Sequence, residues 1–92
     1  MTTLLLVEDD EGLRKALALT LRARGHQVAE AGTGAQALDL LGRKRVEVVI
    51  LDLGLPDLDG TEVLRRLRTT SEVPVIVLSA RRDEIDKVRA LD

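Results

Sequence analysis

The sequence predicts an α/β protein, in which helices cover both faces of a doubly wound parallel sheet. Two observations support this class. Strand-like and helix-like segments alternate along the chain in the order βαβαβαβα, and such alternation implies a parallel sheet. The strand-like segments at residues 46–51 and 75–78 are predominantly apolar, which is typical of strands that are buried on both faces.

The first half of the chain carries two strand–helix pairs. The first helix is indicated by Leu13, Leu17 and Leu21 at helical spacing, and Gly25 follows where a helix-ending glycine is expected. The second helix opens with a capping box at residues 33–36. The predicted elements are a strand over residues 3–7, a helix over 11–24, a strand over 27–31 and a helix over 33 to about 41.

The second half repeats this alternation. A β-branched, apolar run predicts the third strand, and the segment from Asp59 to Glu62 resembles another helix cap. Pro74 stands at the start of the fourth strand, where a missing N–H is tolerated. The predicted elements are a strand over residues 46–51, a helix from 59 through 67 or 68, a strand over 75–78 and a helix over 83–91.

The composition excludes several classes of function. The 92 residues suffice for one domain, and the net charge of -2 comes with no evident basic face, so we expect no nucleic-acid binding through this chain. The absence of cysteine excludes disulfides and thiolate chemistry. No apolar stretch approaches the ~20 residues that span a bilayer, and no signal peptide is evident. We therefore expect a cytoplasmic protein without membrane contact.

Acidic side chains follow two of the predicted strands directly. Glu8, Asp9 and Asp10 come after the first strand, and Asp52 comes after the third. In an open α/β sheet, ligands bind outside the carboxyl ends of the strands. If these two strands are neighbours, the carboxylates converge, and each resists ionisation unless a cation compensates. Mg²⁺ suits such a set of oxygen ligands.

The alternative interpretation is that these acids cap helices. Asp10 and Glu11 are best explained in this way, because negative charge is favoured at a helix N-terminus. Asp9 and Asp52 are different, because each follows a buried strand directly and no structural requirement explains both. These two residues are therefore the principal candidates for a functional site.

Three segments together resemble the receiver domain of response regulators in two-component systems. They are LVEDD at residues 6–10, ILDLGLPDLDG at residues 50–60 and PVIVLSA at residues 74–80. The resemblance covers the whole chain and is strongest to the OmpR-like subfamily, within it to the KdpE-type regulators. It implies a flavodoxin-like sheet with strand order 2-1-3-4, in which a fifth strand is missing.

The resemblance also implies a role for each site residue. Asp52 would accept a phosphoryl group from a phosphohistidine on a sensor histidine kinase. Glu8, Asp9, Asp52 and the backbone carbonyl of Gly54 would bind Mg²⁺, and Ser79 would hydrogen-bond the phosphoryl group. The parent protein would be a DNA-binding transcriptional regulator, and the domain itself would be a phosphoacceptor rather than an enzyme.

The sequence departs from the family pattern at its C-terminal end. The family carries a lysine at the end of a fifth strand, whereas this sequence ends at Asp92, within the predicted fourth helix. Residues 1–92 are therefore expected to form an incomplete receiver domain without an effector domain. The fourth strand would become an edge of the sheet, so self-association of the chain is expected.

Other motifs leave alternatives open. GTGAQA at residues 32–37 matches a dinucleotide-binding fingerprint, although the strand before it is polar and edge-like. Asp57 and Asp59 match the nucleophile motif of haloacid-dehalogenase-type phosphatases, although Asp57 does not directly follow a strand. A receiver that binds partners without being phosphorylated is a third alternative. His26, the only histidine, is expected to have no metal-binding or catalytic role.

Overall fold

Four parallel strands form the central sheet of the computed structural model, which describes residues 2–78. The strands are β1 (Thr3–Val7), β2 (Gln27–Ala31), β3 (Val48–Asp52) and β4 (Val75–Leu78). Their order is β2-β1-β3-β4, and every neighbouring pair is parallel. The predicted flavodoxin-like α/β class and strand order are therefore confirmed for the described residues. The helix that the sequence predicts over residues 83–91 lies outside them.

Three helices connect the strands, and each begins with a side-chain cap. They are α1 (Glu11–Ala23), α2 (Gly34–Arg43) and α3 (Gly60–Arg68). Asp10, Thr33 and Asp59 are the N-cap residues, and their side-chain oxygens accept backbone N–H groups at 3.0, 3.1 and 3.0 Å. Such caps satisfy N–H groups that have no partner within the helix. The predicted caps of the second and third helices are confirmed.

The end of α1 is closed by Gly25, as the sequence predicts. Gly25 has a φ of 95°, a left-handed conformation that glycine adopts without a steric penalty. Its N–H donates to the carbonyl of Arg22 at 3.0 Å, and the N–H of His26 donates to the carbonyl of Leu21 at 3.3 Å. These two bonds form a Schellman motif, which turns the chain from α1 into β2.

The larger part of the core lies between the sheet and helices α2 and α3. Alternate residues of the strands point to this side, as the period of two in a strand requires. Its buried members are Leu5, Val7, Ala31, Ala37, Val49, Leu51, Val63, Leu67, Val75 and Val77. Leu4, Leu6 and Ala18 are also buried but belong to the opposite side, where α1 packs.

Three details differ from the sequence prediction. Leu13 was assigned to the apolar stripe of α1 but is 47% exposed, because the first turn of the helix lies beyond the carboxyl end of β1. Helix α2 continues through Gly42 to Arg43 instead of ending near residue 41. Strand β3 begins at Val48 rather than at residue 46, since its pairing with β1 begins there.

Candidate metal centre

Three carboxylates meet at the carboxyl ends of β1 and β3. The two strands are neighbours in the sheet, with Val7 paired to Leu51, so the residues that follow them are brought together. Carboxylate oxygens of Glu8, Asp9 and Asp52 all lie within 4.8 Å of one another. Glu8 and Asp52 are buried, whereas Asp9 is exposed and leaves the cluster accessible from solvent.

The connection from β1 to α1 holds Glu8 from two directions. The N–H of Asp10 donates to Oε2 of Glu8 at 3.0 Å, while the Asp10 side chain itself caps α1. Nη1 of Arg14 donates to the backbone carbonyl of Glu8 at 3.0 Å. Asp10 is thus a capping residue, as the sequence favours, and it does not belong to the carboxylate cluster.

Arg14 in turn belongs to an ion-pair group that the sequence analysis did not identify. Glu30 on β2 lies 3.2, 3.7 and 3.2 Å from nitrogen atoms of Arg14, Lys15 and Arg22. Burial opposes the ionisation of Glu30, but the hydrogen bonds and charges of these three cations leave its pKa below the usual value. The sequence feature that could have indicated this ion-pair group is an acid within the second strand, next to a helix that carries three basic residues.

The connection from β3 to α3 orients Asp52. Oδ1 of Asp52 accepts the N–H of Gly54 at 3.2 Å, so the carboxylate and the residue predicted to offer its carbonyl are joined directly. Gly60 packs against the start of this connection, and its N–H donates to the carbonyl of Leu53 at 3.1 Å. Ser79, the remaining predicted site residue, lies outside the described residues.

The electrostatics of the cluster favour the binding of a cation. Burial raises the pKa of Glu8 to about 7, although the N–H of Asp10 opposes this shift. The charge of Asp52 and hydrogen bonds with Asp52 and Asp9 contribute to the same rise in pKa. Such a set of carboxylates resists full ionisation until a positive charge compensates. Because every potential metal ligand is an oxygen atom, the three carboxylates fit a hard divalent ion such as Mg²⁺.

The rival motifs lie elsewhere and are engaged in other contacts. Both carboxylate oxygens of Asp57 accept backbone N–H groups, from Gly34 at 2.8 Å and from Ala35 at 3.0 Å. These bonds hold the pKa of Asp57 below its usual value. The same contacts occupy the amides that a dinucleotide phosphate would need at the start of α2. His26 lies just before β2, at the end of the sheet away from the acids.

The comparison with known proteins agrees with this geometry. Residues 4–92 match the family described as the response regulator receiver domain. The chain belongs to this family. Response regulator receiver domains are signalling domains rather than catalytic enzymes, and the expected identity of the chain is confirmed.

Two curated relatives illustrate the similarity of this receiver domain to regulators of known type. It is 48% identical over 92 residues to the transcriptional regulatory protein AfsQ1 of Streptomyces coelicolor. It is 51% identical over 92 residues to the transcriptional regulatory protein KdpE of Mycobacterium tuberculosis. Both alignments cover 100% of this chain and 41% of the relative. The chain therefore spans well under half the length of these OmpR-like regulators.

Solved structures show the same receiver fold. The response regulator TrrA of Thermotoga maritima, in complex with Mg²⁺ and BeF, is 27% identical with a TM-score of 0.86, covering 96% of this chain and 77% of TrrA. TrrA in complex with the histidine kinase ThkA is 30% identical with a TM-score of 0.82, covering 87% and 70%. TrrA thus has a histidine kinase as a partner. Within residues 2–78, no helix is long and apolar enough to cross a membrane.

Proposed function

We propose that this receiver domain accepts a phosphoryl group on Asp52 from a phosphohistidine of a sensor histidine kinase, in a reaction that requires Mg²⁺. The observation that carries the proposal is the cluster of Glu8, Asp9 and Asp52, whose carboxylate oxygens lie within 4.8 Å of one another. Asp52 is the member that ends a central strand and is held by a backbone N–H, so its carboxylate has a fixed orientation.

The transfer is a displacement at phosphorus. One carboxylate oxygen of Asp52 forms a bond to phosphorus while the phosphorus–nitrogen bond of the phosphohistidine breaks, which leaves an aspartyl phosphate and a free histidine. Bound Mg²⁺ would neutralise the negative charge shared by the carboxylates and the transferred group. The chain contributes position: the Gly54 N–H holds Oδ1 of Asp52, and the backbone N–H of Asp10 holds Glu8.

Glu8, Asp9, Asp52 and the carbonyl of Gly54 are the residues that would hold the ion. Glu8 is buried and would act through a water molecule, whereas Asp9 and Asp52 would bind directly. Mg²⁺ keeps several water ligands when one or two carboxylates bind it, so this number of protein oxygens is sufficient. The hydroxyl of Ser79 would hydrogen-bond the phosphoryl group after transfer.

The wider protein is proposed to regulate transcription in the cytoplasm. Relatives such as AfsQ1 and KdpE are named transcriptional regulatory proteins, and this chain corresponds to 41% of their length. The net charge of -2 argues against DNA binding by the chain itself. DNA would therefore be bound by another part of the protein, in response to phosphorylation of this domain.

Labelling with a small phosphodonor tests the proposal. Radioactive acetyl phosphate should label the purified protein in the presence of Mg²⁺ and not in the presence of EDTA. Asp9→Asn should lower the labelling rate at least tenfold at limiting Mg²⁺, as expected for loss of a metal ligand. The matched control is Glu11→Gln, which removes a neighbouring acid of α1 and should leave the rate unchanged. Labelling that is independent of Mg²⁺ and of Asp9 would contradict the proposal.

A further inference from the structure

We propose that Asp57 is a positioning residue, which ties the loop that follows Asp52 and carries Gly54 to the start of α2 and thereby sets the geometry of the metal site. The inference rests on the proposed function, because it concerns the Mg²⁺ site described above. It assigns a role to a carboxylate that lies outside the metal-binding cluster. The contacts of Asp57 connect the loop after Asp52 to the segment at the start of α2.

Asp57 is hydrogen-bonded to a part of the chain that is distant in sequence. Asp57 is an exposed loop residue, and a carboxylate in such a position has no need of protein partners. Both of its oxygens nevertheless accept backbone N–H groups, at 2.8 and 3.0 Å, from Gly34 and Ala35, which lie 23 and 22 residues away in the chain. The loop is thus bonded to a different element of the fold.

Asp57 does not replace the ordinary cap of α2. Thr33 already serves as the N-cap, and its Oγ1 accepts the N–H of Gln36 at 3.1 Å. Asp57 takes the two N–H groups that Thr33 leaves, at the first two positions of the helix. A carboxylate at this end of a helix also interacts favourably with the helix dipole. These two bonds therefore attach the loop to the start of α2 at two neighbouring amides.

Packing around Gly34 supports the same contact. A Cβ atom at Gly34 would come within 2.9 Å of Cβ of Leu58 and 2.9 Å of Cγ2 of Val63. The start of α2 thus approaches the loop and α3 so closely that only glycine fits without displacement of its neighbours. The GTGAQA segment, which matches a dinucleotide-binding fingerprint, here binds the Asp57 carboxylate and packs against Leu58 instead.

The start of α2 and the Asp57 loop are both connected to the carboxylate cluster. The segment that leads into α2 begins at Ala31, whose carbonyl accepts the N–H of Glu8 at 3.0 Å. On the other side, the loop that contains Asp57 leads back through Gly54 to Asp52, whose Oδ1 accepts the Gly54 N–H. Asp57 therefore closes a ring of contacts that begins at Glu8 and ends at Asp52. The pairing of β1 with β3 holds Glu8 and Asp52 side by side. Breaking the ring would let the loop that carries Gly54 move relative to these two carboxylates.

The consequence is an effect on metal affinity. Mg²⁺ requires nearly ideal octahedral geometry, so freedom in the loop weakens its binding. Loss of a residue that orients metal ligands typically lowers affinity about 10- to 100-fold. We expect Asp57→Ala to weaken Mg²⁺ binding about tenfold. The rate of labelling by acetyl phosphate at limiting Mg²⁺ should fall together with the affinity.

The experiment measures Mg²⁺ affinity by calorimetry in the wild type, Asp57→Ala, Asp57→Asn and Thr33→Ala. Asp57→Asn removes the charge but keeps one acceptor oxygen, so it should bind Mg²⁺ more tightly than Asp57→Ala. Thr33→Ala weakens the same helix terminus without touching the loop. It should lower the melting temperature and leave Mg²⁺ affinity unchanged. Hydrogen exchange of the Gly34 and Ala35 amides should accelerate in Asp57→Ala.

Each contrary outcome has a distinct meaning. A wild-type protein that does not bind Mg²⁺ would refute the proposed metal site. A wild type that binds Mg²⁺, with Asp57→Ala equal to it, would overturn the positioning role and leave the metal site standing. Equal weakening in Asp57→Ala and Asp57→Asn would assign the effect to charge alone and overturn the role. If Thr33→Ala weakens Mg²⁺ binding as much as Asp57→Ala does, the effect comes from general loosening of α2, and the positioning role of Asp57 is overturned.

Discussion

Among the acids of residues 2–78, Glu8 is the one whose environment most opposes its ionisation. It is 6% exposed, it follows β1 directly and its carboxylate lies against those of Asp9 and Asp52. Burial and the neighbouring negative charge together raise its pKa to about 7. In the absence of a cation, the folded protein therefore holds a proton at Glu8 across a pH range where the unfolded chain has already released it.

This shift predicts how stability depends on pH when no divalent ion is present. Between about 4.5, the ordinary pKa, and about 7, the folded state binds more protons than the unfolded state. The free energy of unfolding should therefore fall as the pH rises through this window, by on the order of 1–3 kcal/mol. Denaturant unfolding in EDTA, compared between the wild type and Glu8→Gln, measures the contribution. Addition of Mg²⁺ at pH 7.5 should restore stability to the wild type.

The comparison of the wild type with Glu8→Gln can also contradict the predicted pH dependence. Glu8→Gln carries no titratable group at this position, so the difference in stability between it and the wild type isolates Glu8 from all other acids. If both proteins show the same slope between pH 4.5 and 7, the raised pKa does not describe the folded protein. The environment assigned to the cluster would then be wrong.

At the level of elements, the close packing of α3 against the end of β3 fixes where Asp52 and its loop lie. Gly60 is the first residue of α3, and a Cβ atom built on it would lie 2.5 Å from Cα of Leu53 and 3.0 Å from the carbonyl oxygen of Asp52. Because the neighbouring atoms belong to the backbone, they cannot move aside as a flexible side chain would. The packing of this helix therefore depends on glycine.

Substitution of two helical glycines tests this packing. Gly60→Ala should lower the free energy of unfolding by about 1–3 kcal/mol, because the added methyl group meets backbone. Gly42→Ala is the matched control, since Gly42 lies in α2 and a Cβ atom there would meet nothing within 4 Å. That change should be neutral or stabilise by up to about 1 kcal/mol. Equal effects at the two positions, measured by chemical denaturation, would show that α3 does not approach β3 as described.

Elements of the fold were predictable wherever a local pattern determined them. Apolar runs gave the strands, capping sequences gave the helix starts, and acids after two strands that became neighbours gave the carboxylate cluster. The end of α2 was not predictable, because Gly42 resembles a stop although the helix continues through it. The bonds of Asp57 to α2 were not predictable either. They join residues more than 20 positions apart and depend on the path of a loop.

For the molecule as a whole, the two sides of the sheet are covered unequally in the described part of the chain. On the side of α2 and α3, Val75 and Val77 of β4 are buried. On the opposite side, Ile76 is 42% exposed and Leu78 is 37% exposed. Within residues 2–78, β4 is also an edge of the sheet, paired only with β3. An apolar edge strand of this kind favours pairing with another chain.

We therefore predict that the 92-residue chain self-associates as its concentration rises. Ile76→Lys should weaken the association at least tenfold, because a lysine on an edge strand opposes pairing. Thr20→Lys adds the same charge to the exposed surface of α1 and serves as the control, with no expected effect. Light scattering at several concentrations measures the association. A wild-type chain that remains monomeric throughout would contradict the prediction.

Locating the modified residue shows whether Asp52 receives the phosphoryl group. The protein is treated with acetyl phosphate and Mg²⁺, and the phosphorylated residue is identified by mass spectrometry, with Asp52→Asn as the comparison. We expect a single phosphoryl group on Asp52 in the wild type and none in Asp52→Asn. Modification of Asp57 or Asp59, or modification that persists in Asp52→Asn, would contradict this expectation.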